Sequence, residues 1–166
     1  MKNQQVSIGL CNPKSATNVA SILRAAGCFG VDRILYTGQR YAYAKNYNPD
    51  TRDFHKMIPT IGVTDLMELH PADTAVVVIE LVENAIPLPE FTHPDKAFYI
   101  FGPEDGSVPR DLVAQADSVV YIPTFHNMNL AATANVVLYD RLAKSQYVAN
   151  NELIKQSRDN NNNMSR

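Results

Sequence analysis

Ala97-Phe98-Tyr99-Ile100-Phe101-Gly102-Pro103-Glu104-Asp105-Gly106-Ser107-Val108-Pro109 is the stretch that decides the fold. Ala97–Phe101 is a continuous apolar run of strand length, the pattern of a strand buried on both faces. Gly102 and Gly106 then turn the chain and permit close backbone approach to a ligand. Pro109 opens a helix at its first position, where its missing N–H is no loss. Strand, glycine loop, helix is the unit of a mostly parallel α/β sheet, and such sheets bind ligands beyond the carboxyl ends of their strands. The loop is not a G-x-G-x-x-G fingerprint and carries no Walker lysine. It offers backbone N–H groups with two carboxylates at its tip; taken alone, it reads equally well as an acidic surface turn.

The alternation extends outward from this segment. Val6–Leu10 reads as a strand, followed by a turn at Cys11-Asn12-Pro13-Lys14 and a small-residue helix from about Thr17 to Ala26, ended by Gly27 and Gly30. Arg33–Thr37 and Met57–Val63 are further strands, and Thr64 is expected to cap a short helix over Asp65–Leu69. Ala75–Ile79 repeats the fully buried pattern, Ser118–Ile122 is another strand, and Asn129–Tyr147 is the longest helix, with Leu130, Val137, Leu138 and Leu142 near one face. The fold class is α/β, a mostly parallel sheet with flanking helices. One domain is expected over residues 1–149. Residues 150–166 hold six Asn, four of them consecutive, and read as a disordered tail.

The chain has 166 residues, 15 Lys+Arg, 17 Asp+Glu and a formal charge of −2. That is long enough to bury a core without staples. The charge argues against a protein that coats nucleic acid non-specifically, though not against a local basic patch. Such a patch is present: Gly38–Lys56 places Arg40, Lys45, Arg52 and Lys56 against Asp50 and Asp53 and interleaves Tyr41, Tyr43, Tyr47 and Phe54. It reads either as an RNA-facing or dimer-completing loop or as a loop that packs its rings on the core. Cys11 and Cys28 lack metal spacing and are expected to be buried, reduced thiols. No metal site is expected. His55 and His126 are read as non-catalytic. The amino terminus carries no signal-peptide pattern and no apolar run approaches bilayer length, so the expected location is cytoplasmic, without membrane contact.

Two further loops carry chemistry. Asn18-Val19-Ala20-Ser21-Ile22-Leu23-Arg24-Ala25-Ala26-Gly27-Cys28-Phe29-Gly30 sets an Asn in the first turn of a helix and an Arg among small and apolar residues. Tyr121-Ile122-Pro123-Thr124-Phe125-His126-Asn127-Met128-Asn129-Leu130 leaves a strand and enters a helix that Asn127 or Asn129 can cap. In this order the three loops resemble the signature motifs of the SPOUT methyltransferase superfamily, TrmH (SpoU) branch, a family of RNA ribose 2′-O-methyltransferases. The resemblance runs from about Val6 to Tyr147.

The resemblance implies a deep trefoil knot in the C-terminal half, S-adenosylmethionine as cofactor, an RNA substrate and a homodimer with its site near the subunit interface. It implies catalytic roles for Arg24, Asn18, Glu104 and Asn129. It places Leu81, Phe101, Gly102, Gly106, Ile122, Asn127, Met128 and Leu130 around the cofactor. RNA contact is expected from Arg24, Arg40, Lys45, Arg52 and Lys56. Many family members carry Ser at the place of Asn127. The expected reaction is methyl transfer to a ribose 2′-hydroxyl, with tRNA favoured over rRNA on the small single-domain size. The alternative is a non-catalytic RNA-binding or regulatory protein on the same scaffold. A guanidinium is normally protonated, so Arg24 is expected to position the hydroxyl or a neighbouring phosphate and to stabilise developing alkoxide charge rather than to act as a base.

Overall fold

The computed structural model describes residues 5–44, 54–159, 161 and 164. Its framework is a seven-stranded sheet, every pairing parallel: β1 (Gln5–Leu10), β2 (Arg33–Tyr36), β3 (Thr60–Gly62), β4 (Ala75–Ile79), β5 (Ile86–Pro87), β6 (Lys96–Phe101) and β7 (Ser118–Tyr121), in the spatial order β3-β2-β1-β6-β4-β7-β5. Strands β1 and β6 form the centre, in register from Gln5↔Lys96 to Leu10↔Phe101. The helices are α1 (Ala16–Phe29), α2 (Arg40–Ala44), α3 (Phe54–Met57), α4 (Arg110–Gln115), α5 (Leu130–Ala143) and α6 (Asn151–Ser157).

The continuous apolar runs are explained by two cores, one on each face. Ala97, Tyr99 and Phe101 of β6 pack with Ile8, Leu10, Val77 and Ile79 under α1 and α5. Phe98 and Ile100 point the other way, to Leu35, Val76, Val78, Leu66 and Leu112. Alternate residues of one strand thus serve opposite cores.

Several boundaries differ from the sequence expectation for physical reasons. Helix α1 starts one residue earlier and runs through Gly27 to Phe29. Ser15 caps its start by accepting from Asn18 N, and Gly30, with φ of 68°, ends it through its own N–H to Ala26 O. Strand β3 is only Thr60–Gly62, because Met57 ends α3 and Pro59 has no N–H to add to the ladder. Asp65, not Thr64, caps the turn Leu66–Leu69, accepting from Met67 N. Helix α5 stops at Ala143, with Leu142 38% exposed rather than sharing the face of Leu130, Val137 and Leu138. Asn150, at the head of the segment expected to lack order, caps α6 by accepting from Leu153 N, and that helix buries none of its residues. Cys11 is buried, and burial, with Asp111 and Glu80 adding, pushes its thiol up to about 12. Cys28 is exposed, so only one of the two expected buried thiols is buried.

A polar cluster joins α5 to the entry of β6. Asp140 can only accept, so His93 donates from Nε2 to Asp140 Oδ2 at 2.9 Å. Tyr99 Oη receives Arg141 Nη1 at 3.2 Å and donates to His93 Nδ1 at 2.6 Å. Arg141 also donates to the carbonyls of Pro94 and Asp95. Burial lowers the His93 pKa, outweighing the pull of Asp140.

Candidate active site

The carboxyl ends of β1, β4, β6 and β7 deliver their loops to one edge of the sheet. After β6 the chain turns through Gly102, and Glu104 reaches back to the start of α1. Its Oε2 accepts from Lys14 N at 2.8 Å, and its Oε1 accepts from Ser15 N at 2.9 Å and from Asn18 Nδ2 at 3.0 Å. Asn18 Oδ1 in turn accepts from Asn129 Nδ2 at 3.0 Å. Asn129 Oδ1 caps α5, accepting from Ala131 N at 2.8 Å and Ala132 N at 3.3 Å. One run of hydrogen bonds therefore ties together the three loops singled out in the sequence. Burial pushes the Glu104 carboxyl up, but the bonds from Asn18, Lys14 and Ser15 prevail and hold it below its ordinary value. An ionised carboxylate so engaged is an anchor for α1 rather than a proton carrier.

Glu80, at the end of β4, is a residue that sequence reasoning missed. Its Oε2 accepts from Val108 N at 2.8 Å and its Oε1 from Leu81 N at 2.9 Å, bridging the β4 and β6 loops. Gly102 is pressed against this bridge: a Cβ there would lie 3.1 Å from Val108 N and 3.3 Å from Glu80 Oε2. A charged residue placed directly after the apolar run Ala75–Ile79 is the signal that could have found Glu80.

A cavity of about 440 Å³ opens between these loops. All eight residues expected around a cofactor line it: Leu81, Phe101, Gly102, Gly106, Ile122, Asn127, Met128 and Leu130. Glu104 and Asn129 line it too, and so do Glu80, Ser107, Tyr121, Thr124 and Thr133, which were not foreseen. Asn18 stands behind the wall, joined to it through Glu104 and Asn129.

Arg24 is not gathered with the others. It lies six residues beyond Asn18 on α1, about 9 Å along a helix axis. It is exposed and has no hydrogen bond or ion pair among the described residues. Arg40, expected to contact RNA, is engaged within the chain: Nη1 donates to both oxygens of Asp105, at 2.9 and 2.8 Å, and Nε and Nη2 donate to Asn12 O. Lys56 is exposed in α3, while Lys45 and Arg52 lie outside the described residues, as does Tyr47. Among the described residues no group of three or more His, Cys, Asp or Glu is placed to hold a metal ion, and no helix is long and apolar enough to cross a membrane.

Solved structures share this architecture. The SpoU methyltransferase AviRb from Streptomyces viridochromogenes in complex with AdoMet is 18% identical, with a TM-score of 0.74 over 87% of this chain and 62% of its own. The A. aeolicus TrmH/SpoU tRNA modifying enzyme is 20% identical, with a TM-score of 0.74 over 86% of this chain and 76% of its own. A structure described as giving insight into 2-OH methylation of C/U34 on tRNA is 17% identical, with a TM-score of 0.73 over 87% and 92% of the two chains. The chain spans about three fifths of the length of AviRb and of an rRNA methyltransferase from Sinorhizobium meliloti. At these identities the likeness establishes the fold. No curated protein sequence matches the chain. The sequence match that decides is to the model of the SpoU rRNA Methylase family, which covers residues 5–139, and the chain belongs to that family.

Proposed function

We propose that the protein is a cytoplasmic, S-adenosylmethionine-dependent RNA methyltransferase acting on a ribose 2′-hydroxyl, with tRNA favoured. The observation that carries this reading is the cavity: every residue assigned to the cofactor from the sequence lines one concave site, bounded by the Glu104–Asn18–Asn129 run. Its size lies in the range of small-molecule sites. Leu81, Ile122, Met128 and Leu130 offer apolar cover for an adenine ring, and Asn127, Thr124 and Thr133 offer polar partners. The closeness of Gly102 to Val108 N and Glu80 packs the β6 loop tightly against the bridge that shapes this wall. When bound, the cofactor supplies an activated methyl group on sulfur.

The chain's own residues have a positional task. A 2′-hydroxyl must lie in line with the methyl and lose its proton as the bond forms. Glu104 holds the start of α1, and Asn129 fixes the start of α5 beside the cavity. Arg24 supplies positive charge to the hydroxyl or a neighbouring phosphate. Because it stands outside the cavity of its own chain, the reading includes a homodimer in which a second copy brings its Arg24 to the site. Exposed Val136 and Tyr139 on α5, followed by Tyr147 and Val148, give such a dimer apolar surface to bury. The trefoil knot of the C-terminal half belongs to the same reading.

The experiment is incubation with labelled S-adenosylmethionine and total RNA, followed by mass-spectrometric mapping of 2′-O-methyl groups. Label in ribose supports the reading. Label on a base would overturn the ribose assignment, and cofactor or RNA binding without transfer would favour the non-catalytic RNA-binding alternative.

A further inference from the structure

Arg40 and Lys14 stand on either side of the Asp105 carboxylate. Arg40 Nη1 is 2.8 Å and Lys14 Nζ 3.8 Å from Asp105 Oδ2. All three side chains reach solvent: Lys14 is 63% exposed, Asp105 46% and Arg40 33%. Two cations converging on two oxygens of one anion is also the arrangement that grips a phosphodiester, whose two free oxygens match a carboxylate's.

The guanidinium does not depend on Asp105 for its place. Its Nε and Nη2 donate to Asn12 O, so Nη1 keeps its direction when the carboxylate leaves. Asn12 is itself set firmly. It adopts φ of 42°, its N–H is held by Thr37 Oγ1 at 3.1 Å, and Gly38, with φ of 75°, presses so close that a Cβ would fall 2.1 Å from Asn12 Oδ1. The cation is thus preorganised on backbone, while its anion sits on an exposed loop tip. An exposed ion pair is weak and screened by salt, so another anion can exchange for it. The seat adjoins the cavity, because Asp105 follows Glu104, which lines the wall.

We infer that Arg40 and Lys14 form a seat for an RNA backbone phosphate beside the methyl-transfer site, and that Asp105 fills this seat in the free protein. The inference rests on the RNA-methyltransferase reading above. Asp105 acts as an internal competitor: random polyanions must displace it, and a substrate that already fits the cavity displaces it at little loss. This lowers affinity for arbitrary RNA without removing the contact from the true complex.

The test is a double-mutant cycle on the full chain, with affinity for fluorescein-labelled unfractionated tRNA measured against salt. Asp105→Ala is expected to tighten binding about three- to tenfold at low salt, the range for one freed phosphate contact. Arg40→Ala is expected to weaken binding and lower the salt slope by about 0.7 to 0.9. The gain from Asp105→Ala must shrink in the Arg40→Ala background and vanish when Lys14→Ala is added to it, because general relief of negative charge would persist in both. Asp105→Asn, with calorimetric S-adenosylmethionine binding as the check on loop integrity, replaces Asp105→Ala if that variant fails to fold. No gain, or a gain that survives undiminished without Arg40 and Lys14, overturns the inference. Competition by inorganic phosphate at matched ionic strength, as effective as by tRNA, would overturn RNA as the occupant. Failure of the parent protein to methylate RNA is a different result, and it overturns the functional reading itself.

Discussion

Asn18 donates from Nδ2 to Glu104 Oε1 at 3.0 Å, joining the first turn of α1 to the loop after β6 across 86 positions of sequence. The direction of this bond is fixed by its neighbours. Glu104 is held ionised and can only accept, and the α5 N–H groups at the far end can only donate. Between them, Asn18 and Asn129 must each turn the oxygen one way and the amide nitrogen the other. The site is assembled by a polarised run of side chains, not by one dominant contact.

Asn18→Asp is therefore expected to be worse than Asn18→Ala. The Asp variant sets a second carboxylate against Glu104 and still loses the donor, whereas Ala only loses bonds. The expected loss is about 1 kcal/mol for Ala and about 2–3 kcal/mol for Asp, read as the fall in thermal midpoint at neutral pH. Equal midpoints for the two variants would show that the run does not govern stability.

Arg24→Ala and Asn129→Ala are each expected to abolish methyl transfer. Mixed in equal amounts and allowed to exchange subunits, they should recover about a quarter of the parental rate if Arg24 acts on the cavity of a second copy, since half the dimers would be mixed and each would hold one whole site. No recovery would place Arg24 with the cavity of its own chain.

Gly102→Ala should damage the cofactor site with little change elsewhere. The added methyl meets Val108 N at 3.1 Å and presses on the Glu80 bridge, so the two loops must part. S-adenosylmethionine affinity is expected to fall about tenfold by calorimetry, in line with the usual cost of overpacking.

His93 makes the molecule sensitive to acid. Burial lowers its pKa below the ordinary 6.5, so the unfolded chain takes up the proton first as pH falls. This contribution to stability is whole above pH 6.5 and is lost below it, toward the depressed folded value. Thermal midpoints measured from about pH 7.5 to 5.5 should fall more steeply for the parent than for His93→Gln. Parallel curves would assign the acid loss to other groups.

Much of this was legible in the sequence because the physics is local. Ala75–Ile79 and Ala97–Phe101 announce buried parallel strands by unbroken apolar character, and wall residues follow their carboxyl ends. What was not legible depends on encounters between distant segments. Nothing near Arg40 in sequence says that Asp105 will meet it. The segment from Gly38 to Lys56 gave charge and aromatic content but no periodicity, so α2 and α3 went unseen. Two-residue β5 is too short to pattern, and its Pro87 is tolerated because the strand lies at the sheet edge. Glu80 carries a faint signal, a charge directly after an apolar run, but its bridging role emerges only when the distant Val108 N–H is found on it. The Asn content from Asn150 onward points to a tail without order, yet Asn150 caps a helix whose Glu152 and Lys155 pair at 2.8 Å.

The central pairing of β1 with β6 also has a consequence for folding kinetics. Gln5–Leu10 cannot gain its inner neighbour until Lys96–Phe101 has been synthesised, and all that lies between must be looped out first. Strands β1, β2 and β3 can pair early, but β1 then exposes an open edge of unpaired backbone groups, the kind of surface that invites misassociation. Folding should be slow for the size of the chain, as is usual where non-local strand pairing dominates, and the emerging N-terminal half should depend on chaperones until β6 closes the sheet.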